Sequence, residues 1–341
     1  MKPLVFLLYD NRSGSTFLSA LLNRYRDVSV SIETDIVYQV LEYPKKLRSN
    51  DDLKQFIDYL FKNTRFPELN IDQQTIEEYF SHYNSPLSQK EVLDGFLELY
   101  YDRIDPQAEC WVVKGPRIYY NIKALLQFYP DSKFIQIVRD GRAVYNSKKS
   151  TSSIQYKNGV HIHRGSMDDN LVHAAHDWHK VLIIANRFEK YIFNVRYEDL
   201  IQKQDETLNQ ILDYLDISKE NRIQTKSQET FATRIEVAYH TIHPSISSSP
   251  QIGYIEKWKK ILKPELVYIY EKINHSDLER FGYEIMELNN RHNLIFYVKV
   301  FFYLIYYWFN SLLKKFLTAF QSIFVTHNFI TKIRNKLHEF N

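Results

Sequence analysis

At 341 residues the chain is long enough to bury a substantial core, either as one large α/β domain or as one domain with an appendage. Its 44% hydrophobic and 25% charged content is ordinary for a globular protein, and a single cysteine, Cys110, excludes any intramolecular disulfide and suits a reducing compartment. The net charge of +3 is unevenly spread: residues 287–341 hold seven Lys/Arg against two Asp/Glu, so the remainder is slightly acidic and nucleic acid is not an expected partner.

Taken in order, Pro3 to Tyr9 (PLVFLLY) is a short apolar run of the kind that forms a buried strand. It leads into Asp10-Asn11-Arg12-Ser13-Gly14-Ser15-Thr16 and then a stretch with helical spacing from Phe17 to Leu22. Strand, tight polar loop and helix aim backbone N–H groups and a helix N-terminus at an anion. Gly14 lets the backbone approach that anion, Ser13, Ser15 and Thr16 add hydroxyl donors, and Arg12 brings a permanent charge. The loop is not the nucleoside-triphosphate version, because Ser15 stands where that motif has its Lys. The core strand begins within two residues of Met1, which leaves no room for a leader ahead of it.

Val28 to Val40 is mixed and contains Glu33. Asp51 to Tyr101 reads as two or three helices with breaks at Arg65-Phe66-Pro67 and Ser85-Pro86. Trp111 to Lys114 is a short strand ending in a Lys, and Phe134 to Val138 is another, with Arg139 at its end and Ser147 eight residues along a following helix. At the carboxyl edge of a parallel sheet, Arg139 and Ser147 face the same crevice as the first loop and suit a second phosphate. The ligand is then a nucleotide with phosphates at two separate places.

These motifs resemble the sulfotransferases that use 3′-phosphoadenosine 5′-phosphosulfate (PAPS). Arg12 to Thr16 looks like their 5′-phosphosulfate loop, and Arg139 with Ser147 looks like their 3′-phosphate pair. Weaker echoes follow in the family's order: Val113-Lys114-Gly115-Pro116, Val195 to Leu200 with Tyr197, and Gly253 through Lys257-Trp258. The resemblance spans about Pro3 to Tyr283 and is closest in motif spacing to the tyrosylprotein and glycan type, whose Glu-Thr pair matches Glu33-Thr34. It implies Glu33 as general base, Lys114 and Arg12 on the departing phosphate, and Tyr197 and Lys257 beside the nucleotide. Pro116 stands where the small-phenol enzymes place a His, which strengthens Glu33; Asp35 and Thr151 stand where the tyrosylprotein enzymes carry Arg.

The implied fold is a three-layer, P-loop-like α/β domain with a central parallel sheet over residues 1–286, followed by a helical appendage over 287–341. The implied cofactor is PAPS, with 3′-phosphoadenosine 5′-phosphate (PAP) as product, and no metal is expected. His173, His176 and His179 drift around a helix spanning Asp168 to Phe188 and read as ordinary, as do His161 and His163 in a polar loop. Phe231 to Ser249 reads as a mobile loop closing over the cofactor, and Gly282 as the cap of the helix that starts at Pro264.

In the tail, Leu294 to Phe309 has nine aromatics in sixteen residues, and an apolar stripe from Leu312 to Phe324 lies opposite Lys314, Lys315 and Gln321. That pattern predicts peripheral membrane contact through residues 294–325, with a hairpin buried against the domain or a partner subunit as the alternative. The expected partners are a hydroxyl-bearing acceptor (carbohydrate, lipid, metabolite or tyrosyl), the membrane and a second copy in a homodimer, in a cytoplasmic setting. Two other readings stay open: a kinase-like phosphotransferase and a non-catalytic, membrane-associated nucleotide-binding protein.

Overall fold

The computed structural model describes residues 2–42, 47, 49–83, 86–157, 160–218, 252–286, 293–313 and 316. Five strands form one parallel sheet: β1 (Leu4–Tyr9), β2 (Val28–Val30), β3 (Cys110–Lys114), β4 (Lys133–Val138) and β7 (Ile192–Arg196), in the order β2-β3-β1-β4-β7. β1 is buried at every position and β4 at all but its first, the signature of strands covered on both faces. The registers Leu7 with Lys114, Tyr9 with Ile137, and Val138 with Arg196 bring the carboxyl ends of β1, β3, β4 and β7 to one edge. From β1 the chain crosses toward β2 and β3, whereas from β4 it crosses the other way, to β7. The switch point therefore opens a crevice between β1 and β4.

The helices follow local signals. After α1 (Ser15–Leu22) and α2 (Ile36–Glu42), three helices match the polar-faced segments of the sequence: α3 (Asn50–Asn63), α4 (Gln73–Ser81) and α5 (Gln89–Ile104). α3 and α5 both start with reciprocal capping boxes, Ser49 with Asp52 and Ser88 with Glu91, each satisfying two otherwise orphaned donors. α6 (Ile122–Phe128) precedes β4, and α7 (Gly141–Ser150) follows it.

Next come a two-stranded antiparallel hairpin, β5 (Ser152–Lys157) and β6 (Val160–Ser166), and then α8 (Leu171–Asn186). The hairpin corrects the sequence expectation of a polar loop: His161 and His163 lie in β6, because pairing with β5 satisfies backbone that composition alone left unassigned. α9 (Tyr197–Gln202), α10 (Gln204–Leu215), α11 (Lys257–Ile261), α12 (Pro264–Arg280) and α13 (Leu294–Leu313) are the remaining α-helices among the described residues. Gly282, at φ 69°, ends α12 as expected: its N–H bonds to the Glu279 carbonyl and that of Tyr283 to Leu278, the paired bonds of a left-handed C-terminal cap.

Two cores result. One joins the sheet to α1–α6 and α10; the second joins α7, α8, α11 and α12 to the inner face of α13. The loop expected over Phe231 to Ser249, and the tail beyond residue 316, lie outside the described residues.

Candidate active site

The loop between β1 and α1 takes its shape from two left-handed residues, Arg12 (φ 75°) and Gly14 (φ 96°), and from a turn in which the Ser13 N–H bonds to the Asp10 carbonyl at 3.1 Å. Gly14 caps α1, whose first turn carries no acidic residue and no side-chain cap, so its N–H groups and macrodipole are free to meet an anion. The side chains of Ser13, Ser15 and Thr16 are buried around it. A Cβ on Gly14 would lie 2.2 Å from the Tyr197 ring, so that position needs glycine for both backbone and space.

Beneath the loop, the Lys148 ammonium donates to both Asp10 carboxylate oxygens at 2.7 Å. Burial pushes the Asp10 carboxyl above its ordinary value while Lys148 pulls it back. This pair ties the loop to α7, the helix that also carries Ser147.

On the other side of the crevice, Arg139 leaves the end of β4. Its Nη1 donates to the Arg12 carbonyl and its Nη2 to the Tyr254 carbonyl, both at 3.2 Å, and its guanidinium lies 4.6 Å from the Tyr197 ring centroid. Arg139 Nε is buried with no hydrogen-bond partner. Arg12 Nε donates to Ser147 Oγ at 3.0 Å, so Arg12 connects the first loop to the second pair. The corner behind Arg139 is held by a buried cluster of charged groups. Arg142 bonds to Asp140 and Glu271 and stacks on Trp258 at 4.2 Å, and Glu198 accepts from the Asp140 N–H and from Tyr283. Through Trp258 that buried cluster fixes the segment bearing Lys257, which is exposed, 5.7 Å from the Tyr254 ring.

Glu33 and Lys114 meet because the chain past β2 keeps following β3. The Ser31 N–H bonds to the Val112 carbonyl at 2.9 Å, the Lys114 N–H to Ser31 Oγ at 2.8 Å, and the Thr34 N–H to the Lys114 carbonyl at 3.0 Å. A Cβ on Gly115 would lie 2.3 Å from the Thr34 carbonyl oxygen, which explains the glycine after the lysine. Lys114 Nζ lies 3.6 Å from Glu33 Oε2 and donates to Thr16 Oγ1 at 2.8 Å, linking the carboxylate to the loop between β1 and α1. Burial pushes the Lys114 ammonium down to about 8, against the pull of Glu33, with Arg65 and Arg12 lowering it further. Tyr9 donates to Glu33 Oε2 at 2.9 Å and Arg65 Nη1 to Oε1 at 3.3 Å; Arg65 also pairs with Glu68. Sequence reasoning missed Arg65, which it read only as part of a break between helices and which lies just past the end of α3, and Tyr9, which reads as one more core-strand aromatic.

The structure thus brings Arg12, Ser13, Gly14, Ser15, Thr16, Glu33, Lys114, Arg139, Ser147 and Tyr197 to one sheet edge and leaves Lys257 at its rim. The unpartnered donor of Arg139, the uncapped N-terminus of α1 and the glycine cradle fit a ligand with two separated anionic groups. On α8, His179 bonds to Asp277 at 2.5 Å, and a hydrogen bond to Asp168 raises the His173 imidazole above its ordinary range.

The family profile described as "Sulfotransferase family" matches residues 3–221. A Caenorhabditis briggsae protein named "Putative protein-tyrosine sulfotransferase" is 26% identical over 217 residues, covering 63% of this chain and 66% of that protein, just under two thirds of its length. Among solved structures, the sulfotransferase domain from the curacin biosynthetic pathway is similar over 84% of this chain and 99% of its own, at a TM-score of 0.55 and 19% identity. The sulfotransferase domain from the Synechococcus PCC 7002 olefin synthase is similar over 83% and 96%, at 0.53 and 19%. At such identities the two structures are evidence for the fold.

Proposed function

Since this chain belongs to the sulfotransferase family, we propose that it moves the sulfuryl group of PAPS to an acceptor hydroxyl, with Glu33 as the general base. The observation that carries this reading is the pairing of a carboxylate and a buried ammonium, Glu33 and Lys114, 3.6 Å apart and joined through Thr16 to the loop between β1 and α1. When bound, the nucleotide supplies an activated sulfuryl group on a phosphate leaving group. Arg12 and the Ser13–Thr16 loop would hold its 5′ end, and Arg139 and Ser147 would hold its 3′-phosphate; Tyr197 packs against Gly14 and Arg139.

Glu33 takes the proton of the attacking hydroxyl. Tyr9 and Arg65 act through Glu33, fixing the two carboxylate oxygens so that the carboxylate faces the crevice. Lys114, Arg12 and Ser15 stand where negative charge builds on the departing phosphate, and the buried setting of Lys114 strengthens its attraction for that charge. The acceptor is a carbohydrate, lipid, metabolite or tyrosyl hydroxyl, and the setting is cytoplasmic, where the lone, buried Cys110 needs no disulfide partner.

The test is transfer of labelled sulfate from PAPS to tyrosyl peptides, glycans, lipid extracts and small hydroxyl metabolites. Glu33→Gln is expected to cut transfer about 10²–10⁴-fold while PAP still binds. Equal rates for Glu33→Gln and wild type would remove Glu33 from the role, and Mg²⁺-dependent phosphate transfer from ATP would revive the kinase-like reading.

A further inference from the structure

Helix α13 is two-sided in a way the catalytic site does not require. Its inner face is fastened to the domain along most of its length. Phe296 meets Tyr268 at 5.5 Å between ring centroids, Lys299 pairs with Glu265 at 3.3 Å, and Val300 is buried. Further along, the Tyr307 hydroxyl lies 3.4 Å from that of Tyr145, and Asn170 Nδ2 donates to both the Tyr307 carbonyl and Ser311 Oγ at 3.0 Å. Its outer face carries Phe301, Phe302, Ile305, Trp308, Phe309 and Leu312, all exposed, at a spacing that makes one continuous apolar stripe. Lys299 is the only charged residue in the helix, and its ammonium, though exposed, pairs with Glu265 of the domain. Water-soluble surfaces do not ordinarily carry so long an apolar, aromatic patch.

We propose that this outer face seats the catalytic domain on an anionic lipid bilayer, with α13 lying in the plane of the interface rather than spanning it. Two features select a bilayer as the occupant. The patch mixes Trp308 and, beside it, the exposed Tyr306 with phenylalanines and aliphatic residues, the composition that settles at headgroup depth. The sequence that follows is basic, with Lys314, Lys315, Lys332, Arg334 and Lys336 against Glu339 alone, which complements anionic headgroups. The helix is long and apolar enough to cross a membrane, at 20 residues and a mean hydropathy of 1.2. Crossing would strip its inner face from the domain and carry Lys299 into hydrocarbon without Glu265, so the docked helix lies flat. The inference is independent of the reaction proposed for the active site.

Tryptophan emission reads the outcome directly. Of the four tryptophans, Trp111, Trp178 and Trp258 are at most 2% exposed and Trp308 is 64% exposed. The full chain is mixed with phosphatidylcholine vesicles, with or without phosphatidylserine, and with the same vesicles brominated at shallow or deep acyl positions. The expected result is binding that requires phosphatidylserine and weakens with salt, with quenching strongest for shallow bromines and abolished in Trp308→Phe. Phe302→Ser is expected to lower vesicle partitioning at least about tenfold while leaving PAP binding unchanged. Strongest quenching by deep bromines would establish a spanning helix and overturn the proposal. So would an absence of vesicle binding, whether the protein is a monomer or a dimer that Phe302→Ser dissociates. The quenching of the unaltered chain needs no variant to fold.

Discussion

Lys114→Met isolates the cost of keeping an ammonium buried at the active site. Folding moves this group from an ordinary value of 10.5 down to about 8, burial being the largest cause. At pH 7 the native state therefore gives up about 3 kcal/mol relative to the unfolded chain, in which the same ammonium is solvated. Because the folded value is the lower one, the unfolded state binds more protons between the two, and stability from this group rises with pH. The penalty is full below about pH 8 and has relaxed by about 2 kcal/mol at about pH 9.5. Methionine fills similar space without the charge, at the loss of the bond to Thr16, about 1 kcal/mol. Urea unfolding of both proteins is expected to show Lys114→Met more stable by about 2 kcal/mol near pH 7 and nearly equal to wild type near pH 9.5, with no sulfuryl transfer at either. Curves that stay parallel across that range, or a variant less stable at pH 7, would refute the idea that the site holds a desolvated cation in readiness for charge on the leaving phosphate.

Gly14→Ala is expected to cost about 2–4 kcal/mol of stability in the same assay and to abolish PAP binding, since its Cβ would strike the Tyr197 ring at 2.2 Å in a left-handed backbone. Asp10→Asn leaves the buried Lys148 ammonium uncompensated. A loss of about 3–5 kcal/mol is expected, recovered largely in Asp10→Asn combined with Lys148→Met.

The sheet, and the convergence of the Arg12–Thr16 loop with Arg139 and Ser147 at its edge, were legible in the sequence because each rests on a local pattern. Short apolar runs marked β1, β3 and β4, and polar residues directly after them fall at the carboxyl edge by the geometry of parallel strands. The cap at Gly282 was legible for the same reason. What the sequence did not disclose depends on distant partners. Arg65 reaches Glu33 across 32 positions, Lys148 meets Asp10 across 138, and Arg142 meets Glu271 across 129. None of these pairs has a spacing rule. Tyr197 was readable only through its motif; its ring packs against the Gly14 position and the Arg139 guanidinium, within the crevice. The tail was legible in composition but not in facing, since only its contacts with Glu265, Asn170 and Tyr145 show which side is spent on the domain.

Calorimetric titration of the full chain with PAP in the absence of Mg²⁺, beside ATP and AMP, tests the central claim most directly. The account predicts metal-independent micromolar binding, weakened about 10–100-fold in Arg139→Ala through loss of charge-assisted bonds to the 3′-phosphate. It also predicts proton uptake near pH 9 that disappears in Lys114→Met, because a phosphate beside Lys114 restores the ammonium. No binding of PAP, or a preference for ATP with Mg²⁺, would contradict it.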